Sequence, residues 1–351
     1  MDSTDQSIKK PIGVIGAGSF GTAISNLLAY NVDVLLFSRK KELVYKINQE
    51  HRHMGVELSQ RIQATNNLQS IAESCDLIFP IVPSVHFRSM IQDLAPYLRP
   101  YHMLIHGTKG FDLTSIEQPA SKDTVIERKN VHTMSEVIVQ ESVVMRIGCL
   151  SGPNLSAEIM AGQPTATVIG SPFSEVIKAG RKVLDSKKFH VFGTHDMLGA
   201  ELAGAMKNAI AIGSGILGGL GMGKNIQAML ITRGLVEMVY MGKAMGADSK
   251  AFIGTAGIGD LIATSTSEHS RNYTFGMRMG RGESLEEITK SMPELAEGVR
   301  TIQILRQLSR HYKLHSPIIE MLYSVVFEGF DIMRALNYLM NYPYSIDVDF
   351  V

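Results

Sequence analysis

The chain has 351 residues, more than one hydrophobic core usually serves, so two domains are expected. Hydrophobic residues make up 45% of it, which excludes a disordered chain. Its 34 basic and 34 acidic side chains cancel, which gives no support for general binding to nucleic acid or to a membrane surface.

Cys75 and Cys149 stand far apart and form no Cys-x-x-Cys pair. Neither a disulfide framework nor a zinc site is expected, and a reducing compartment fits. The opening MDSTDQSIKK has no apolar core and does not read as a secretory signal. The apolar run 209–223 falls short of the ~20 residues a membrane span needs. A cytoplasmic protein without stable membrane insertion is expected.

Ile12-Gly13-Val14-Ile15 reads as a short strand running into Gly16-Ala17-Gly18-Ser19-Phe20-Gly21. Thr22, Ala23, Ile24, Leu27 and Leu28 then follow a helical pattern. Gly-x-Gly-x-x-Gly between a strand and a helix is the fingerprint of a dinucleotide site. Gly16 permits the tight turn, Gly18 lets backbone touch a pyrophosphate, and Gly21 lets helix and strand pack closely. The helix N-terminus offers free N–H groups and a positive dipole end to the phosphates.

The second strand is 32–37. About 20 residues past the glycines, a strict NAD binder carries an acidic residue for the ribose hydroxyl. Here Ser38-Arg39-Lys40-Lys41 stands in that place. An arginine there can hold a 2′-phosphate, so Arg39 is read as a cofactor contact and NADPH is slightly favoured. Lys40 and Lys41 read as the start of a solvated helix.

A strand over 77–82 closes on Pro83-Ser84, and one over 103–106 ends in Gly107-Thr108-Lys109-Gly110. The βαβ rhythm implies a parallel sheet, whose ligands lie at the carboxyl ends of the strands. Pro83 and Ser84 are therefore expected to flank the cofactor. Lys109 is placed to meet an anionic substrate, with an ordinary loop lysine as the other reading. In the mixed polar segment 111–144, Thr133-Met134-Ser135-Glu136 resembles a capping box; no chemistry is visible there. A strand over 143–150 feeds Ser151-Gly152-Pro153-Asn154-Leu155-Ser156, a turn into a helix at the cleft end. Strands over 165–169 and 189–192 follow, and His195 and Asp196 read as helix-capping residues.

After about residue 193 helical patterns take over. The stretch 199–223 is small and apolar with one cation, Lys207. Burial disfavours an ammonium and can lower its pKa by about 3–5 units. Lys207 is therefore either a snorkelling side chain or a tuned amine in a closed site. The small residues around it let other backbone come close. A helix over 225–245 with Asn225 as its N-cap is expected next, then helices over 283–292, 297–312, 317–327 and 331–340. The methionines of this half suit adaptable core or dimer packing. Two loops carry its polar content: 257–264, with Gly257-Ile258-Gly259-Asp260, and Ser270-Arg271-Asn272 before a helix from Tyr273. The second has the makings of a phosphate site, or is a plain capped helix with a surface arginine.

Several of these motifs line up in one order: the glycine loop, Val82-Pro83-Ser84, Thr108-Lys109-Gly110 and Ser151-Gly152-Pro153, then Glu201-Leu202-Ala203-Gly204-Ala205-Met206-Lys207-Asn208, Gly257-Ile258-Gly259-Asp260, Ser270-Arg271-Asn272 and Glu297-Gly298. Together they resemble the bacterial-type NAD(P)-dependent sn-glycerol-3-phosphate dehydrogenases, from near residue 11 to near residue 345.

The resemblance implies an α/β protein: an N-terminal Rossmann dinucleotide-binding domain, 1–192, and a C-terminal all-helical substrate domain, 193–351. It implies reversible hydride transfer between NAD(P)H and dihydroxyacetone phosphate, giving sn-glycerol 3-phosphate for glycerophospholipid synthesis, by a homodimer without a metal. Lys207 is then the general base, with Lys109 and Asp260 beside it. Lys109, Gly152, Asn154, Asp260, Ser270, Arg271 and Asn272 become substrate contacts. Gly16, Gly18, Ser19, Phe20, Gly21, Arg39, Pro83, Lys109, Ser156, Arg271 and Glu297 become cofactor contacts. Burial among Ala203, Gly204 and Ala211, with repulsion from Lys109, would lower the Lys207 pKa, and a nearby Asp260 would raise it. Two other readings remain: another two-domain dehydrogenase of hydroxy acids or sugar-acid phosphates, and a non-catalytic nucleotide-sensing module.

Overall fold

A computed structural model of the chain describes residues 10–114, 126–292, 294, 296–343 and 347. Its first half is built on one eight-stranded sheet. The strands are Ile12–Ile15 (β1), Val34–Phe37 (β2), Ile62–Thr65 (β3), Leu77–Pro80 (β4), Met103–His106 (β5), Arg146–Ser151 (β6), Thr165–Gly170 (β7) and Phe189–Thr194 (β8). Their spatial order is β8-β7-β6-β5-β4-β1-β2-β3. The 3-2-1-4-5-6 core of that order is the doubly wound dinucleotide-binding arrangement, and the strand order reverses between β1 and β4. Fully buried apolar strands such as β1 and β4 are what a sheet covered on both faces requires.

The sheet departs from the expected all-parallel form at one pair. β6 and β7 run antiparallel, with Cys149 opposite Gly170 and Ser151 opposite Val168. Only the short helix Ser156–Met160 lies between them, too little for a right-handed crossover.

Helices Ser19–Leu28 (α1), Lys41–Glu50 (α2), Leu68–Ser74 (α3), Phe87–Leu94 (α4), Met134–Glu141 (α5), Ser156–Met160 (α6) and Ser174–Leu184 (α7) accompany these strands. Thr133 and Glu136 form the capping box of α5. In the 111–144 segment, Asp112–Leu113 pairs with Val131–His132, and residues 115–125 lie outside the described residues.

The second half is helical: Met197–Gly219 (α8), Lys224–Ala244 (α9), Asp260–Thr266 (α10), Arg271–Gly280 (α11), Leu285–Ser291 (α12), Glu297–His311 (α13), Pro317–Glu328 (α14) and Ile332–Met340 (α15). α8 runs through its centre, with almost every side chain buried from Gly199 to Leu217. A Cβ on Gly215 would stand 2.1 Å from the carbonyl oxygen of Tyr273, and one on Gly219 2.2 Å from that of Met277. α11 therefore lies backbone to backbone on α8, which only glycine allows.

Three sequence expectations change here. Asn225 is not the cap of α9: the helix starts at Lys224 and Gly223 precedes it without a side-chain cap. The stretch 257–264 is not a loop: a wide turn, Thr255–Gly259, feeds directly into α10. Of His195 and Asp196, Asp196 makes the α8 cap, accepting the N–H of Gly199 at 2.9 Å, while His195 Nδ1 lies 3.1 Å from the carbonyl of Ser171.

Among the described residues, no helix is long and apolar enough to cross a membrane, and no group of three or more His, Cys, Asp or Glu is placed to hold a metal.

Candidate active site

The glycine loop sits at the switch point between β1 and β4. Gly16 has φ +119°, and a Cβ there would meet the carbonyl oxygen of Ile81 at 2.0 Å. A Cβ on Gly21 would meet the Gly16 carbonyl oxygen at 1.8 Å, whereas one on Gly18 would meet nothing within 4 Å. Gly16 and Gly21 are thus fixed by packing, and Gly18 faces open space. α1 has neither a capping side chain nor an acid in its first turn, so its leading N–H groups are available to an anion. Phe20 closes the floor, with its ring against Gly107. Arg39 lies exposed just past the carboxyl end of β2, and Pro83 lies exposed past β4. Ser156 is the first residue of α6, which packs on α1.

The other part of the site is a chain of charges. Lys109, past β5, donates from Nζ to the carbonyl of Gly152 at 2.8 Å and to Asp260 Oδ2 at 2.6 Å. Lys207, on α8, donates to Asp260 Oδ1 at 2.5 Å and to the hydroxyl of Thr264. Thr264 in turn donates to Asp260 Oδ1 at 3.2 Å. Lys207 is 5% exposed and Asp260 1%. One carboxylate therefore bridges two ammonium groups that come from different halves of the chain.

These neighbours settle the opposing effects on Lys207. Burial pulls its pKa down most, the Asp260 charge and hydrogen bond pull it up, and Lys109 and Arg271 push it down again. The balance lies at about 8, well below the ordinary lysine value of 10.5. Desolvation is the largest of these effects, and the positive charges of Lys109 and Arg271 offset part of the pull of Asp260.

Ser270 caps α11, accepting from the N–H of Tyr273 at 3.3 Å. Asn272 is buried and works within the protein: its Nδ2 donates to Asn208 Oδ1 at 3.0 Å, and its Oδ1 accepts the N–H of Gly298 at 2.8 Å. Asn154 is similarly engaged, donating to the Ala166 carbonyl at 3.2 Å and accepting from Thr167 Oγ1 at 2.8 Å. Arg271 points elsewhere, to Glu294 Oε2 at 2.7 Å. The same carboxylate accepts the Ser19 hydroxyl at 2.8 and 2.9 Å. Glu297 holds Ser84, accepting its N–H at 2.9 Å and its hydroxyl at 2.6 Å. It thus ties α13 to the turn after β4.

Sequence reasoning assigned no role to Thr264, Glu294 or Arg300. Thr264 lies four residues after Asp260, the spacing of a helix face, but the stretch read as a loop and the signal was lost. Glu294 bridges Ser19 and Arg271, which only the fold brings together. Arg300 donates to the carbonyl of Phe111 at 2.7 Å and to Ser84 Oγ at 3.3 Å, a contact between distant segments.

The family profile "NAD-dependent glycerol-3-phosphate dehydrogenase N-terminus" matches residues 11–176, and its C-terminus counterpart matches residues 196–337. A glycerol-3-phosphate dehydrogenase [NAD(P)+] of Teredinibacter turnerae is 36% identical over 343 residues, covering 96% of either chain. One of Ectopseudomonas mendocina is 37% identical over 347 residues, covering 97% of either chain. The crystal structure of glycerol-3-phosphate dehydrogenase from Coxiella burnetii superposes with a TM-score of 0.84 at 30% identity, covering 95% of this chain and 99% of that one. The profiles span both the glycine loop and the Lys207–Asp260 pair, at identities that hold nearly end to end, so the chain belongs to the NAD-dependent glycerol-3-phosphate dehydrogenase family.

Proposed function

We propose that the chain catalyses reversible hydride transfer between a nicotinamide cofactor, NAD or NADP, and dihydroxyacetone phosphate, giving sn-glycerol 3-phosphate. The observation that carries this reading is Asp260 held between Lys109 and Lys207, with the Lys207 pKa pulled down to about 8. An amine that titrates near neutral pH can both take and return a proton, which an ordinary lysine cannot.

The residues present fit a dinucleotide. Gly18 leaves open space beside uncapped α1 N–H groups, which suits a pyrophosphate. Gly16, Gly18, Ser19, Phe20 and Gly21 would hold the cofactor's centre, Arg39 its adenosine end, and Pro83, Ser156 and Glu297 its edges. The exposed guanidinium of Arg39, with no acid at that position, supports a slight preference for NADPH. The cofactor supplies or accepts the hydride when bound.

The rest falls to the chain's own side chains. In the oxidising direction, neutral Lys207 takes the proton of the substrate C2 hydroxyl at Nζ. In the reducing direction, protonated Lys207 gives it to the carbonyl oxygen. Asp260 orients both lysines, and Lys109 places a second positive charge beside the reacting oxygen. Gly152, Asn154, Ser270, Arg271 and Asn272 would form the substrate side, Asn154 and Asn272 through the backbone they brace and Arg271 by taking the phosphate once Glu294 releases it. Residues 1–192 would supply most of the cofactor side and, through Lys109, Gly152 and Asn154, part of the substrate side; 193–351 would supply the rest. The reading extends to a cytoplasmic homodimer that feeds glycerophospholipid synthesis. Loss of nicotinamide absorbance with dihydroxyacetone phosphate and NADH or NADPH tests the activity. No turnover with either cofactor would overturn it.

A further inference from the structure

The reaction described above makes no use of the buried carboxylate of Glu201. Glu201 lies on α8, six residues before Lys207, and is 9% exposed. Its two oxygens reach into the sheet half of the molecule. Ser135, in the first turn of α5, donates its N–H to Oε1 at 2.9 Å and its hydroxyl to Oε2 at 2.5 Å. His106 Nε2 lies 2.9 Å from Oε1, a close polar contact rather than an aligned hydrogen bond. Burial alone would push this carboxyl's pKa up, but His106 and the two Ser135 bonds outweigh it and hold it below the usual range. A buried charge is kept only where it is paired, and here every partner comes from another element.

The positions of those partners carry the inference. His106 ends β5, three residues before Lys109, so Glu201 holds the strand that delivers Lys109. Glu201, Gly204 and Lys207 follow in steps of three, on one side of α8. Between the two charged residues, α8 is pressed hard against the sheet half: a Cβ on Gly204 would stand 2.8 Å from Ser151 Oγ and 3.7 Å from the stem of Lys109. Asp260 reaches both Nζ atoms, at 2.6 and 2.5 Å, only while the end of β5 and α8 keep this spacing.

We propose that Glu201 is a positioning residue for the hydride-transfer reaction, fixing the gap between Lys109 and Lys207 by tying α8 to the end of β5 and to α5. This rests on the assignment of those two lysines in the proposed function. Glu201 touches neither substrate nor cofactor, and it acts through the placement of the Lys109–Asp260–Lys207 chain. Its polar partners, Ser135 and His106, lie outside the glycine loop.

The test uses the full-length enzyme with dihydroxyacetone phosphate and NADPH. Glu201→Gln keeps the side-chain volume and removes the charge. Its kcat is expected to fall at least about tenfold, because small misplacements at a reacting centre are costly. NADPH affinity, read from nicotinamide fluorescence without substrate, is expected to stay within about twofold of the starting enzyme. If Glu201→Gln fails to fold, Ser135→Ala removes one hydroxyl and leaves the carboxylate and His106; about a threefold fall in kcat is expected there. Each variant is then combined with Lys109→Ala. A residue that acts by placing Lys109 adds little once Lys109 is gone, whereas a merely structural residue lowers activity again by the same factor. Wild-type kcat in whichever variant folds, or losses that multiply with Lys109→Ala, would overturn the proposal. A Lys109→Ala enzyme of undiminished activity would instead sink the site assignment on which it rests.

Discussion

Lys207 Nζ and Asp260 Oδ1 stand 2.5 Å apart, both buried, on two different helices and 53 residues apart in sequence. Asp260 holds Lys109 with its second oxygen, which brings a second positive charge close to Lys207. Burial is the strongest effect, Lys109 opposes the pull of Asp260, and Lys207 is left titrating at about 8.

Replacing Lys207 by alanine removes the proton donor and acceptor. The expected loss is about 10²–10⁴ in kcat in both directions, the usual size of a general acid–base contribution. NADPH binding should persist, since the glycine loop is untouched. Steady-state rates beside a fluorescence titration check both halves of the prediction.

The two directions should respond oppositely to pH. Oxidation of glycerol 3-phosphate needs neutral Lys207, so its kcat/KM should rise through about pH 8. Reduction of dihydroxyacetone phosphate needs the protonated form and should decline above that pH. Asp260 raises the Lys207 pKa, so Asp260→Asn should move the inflection to lower pH. Rate profiles in the two directions that parallel one another would contradict this.

Glu294 occupies Ser19 and Arg271 at once, through contacts of 2.7 to 2.9 Å. A cofactor phosphate that takes Ser19, or any phosphate that takes Arg271, must displace this carboxylate. Glu294→Gln should therefore lower the KM for cofactor by about threefold, a modest effect because these groups are partly exposed. Weaker cofactor binding in this variant would instead make Glu294 a contact that persists in the complex.

Glu237, on α9, is buried and accepts the N–H groups of Ile318 and Ile319 at 2.7 and 3.1 Å. Burial raises its pKa from 4.5 to about 8 against the pull of those bonds. The folded state then holds a proton that the unfolded state gives up at lower pH. Its contribution to stability is fully present below 4.5 and is lost as pH rises through about 8. Glu237→Gln should flatten the dependence of Tm on pH across that window. A Tm that falls equally with pH in both proteins would rule Glu237 out as the cause.

Gly276 on α11 packs against α8 so closely that a Cβ would lie 2.0 Å from the carbonyl oxygen of Ile212. Gly276→Ala should destabilise the protein by at least about 1–3 kcal/mol, the range for overpacking. It should also impair activity, because α11 carries Arg271 and Asn272. Denaturant unfolding and kcat/KM together check it.

Much of this was written in the sequence. Local signals determined the glycine loop between strand and helix, the missing acid at Arg39 and the isolation of Lys207 on a small-residue helix, because each depends on residues a few positions apart. The Glu294 bridge was not legible, because Ser19 and Glu294 meet only in the fold. The helical start at Asp260 was hidden by the glycines of the turn before it, and the β6–β7 direction turned on a connection too short for a crossover. The protonation of Lys207 belongs with these. Sequence names burial, Lys109 and Asp260 as opposing influences, but distance and desolvation set their sizes. Only the packing of α8 and α10 against the end of β5 decided that one carboxylate would serve two lysines, and so that Lys207 would titrate near neutral pH.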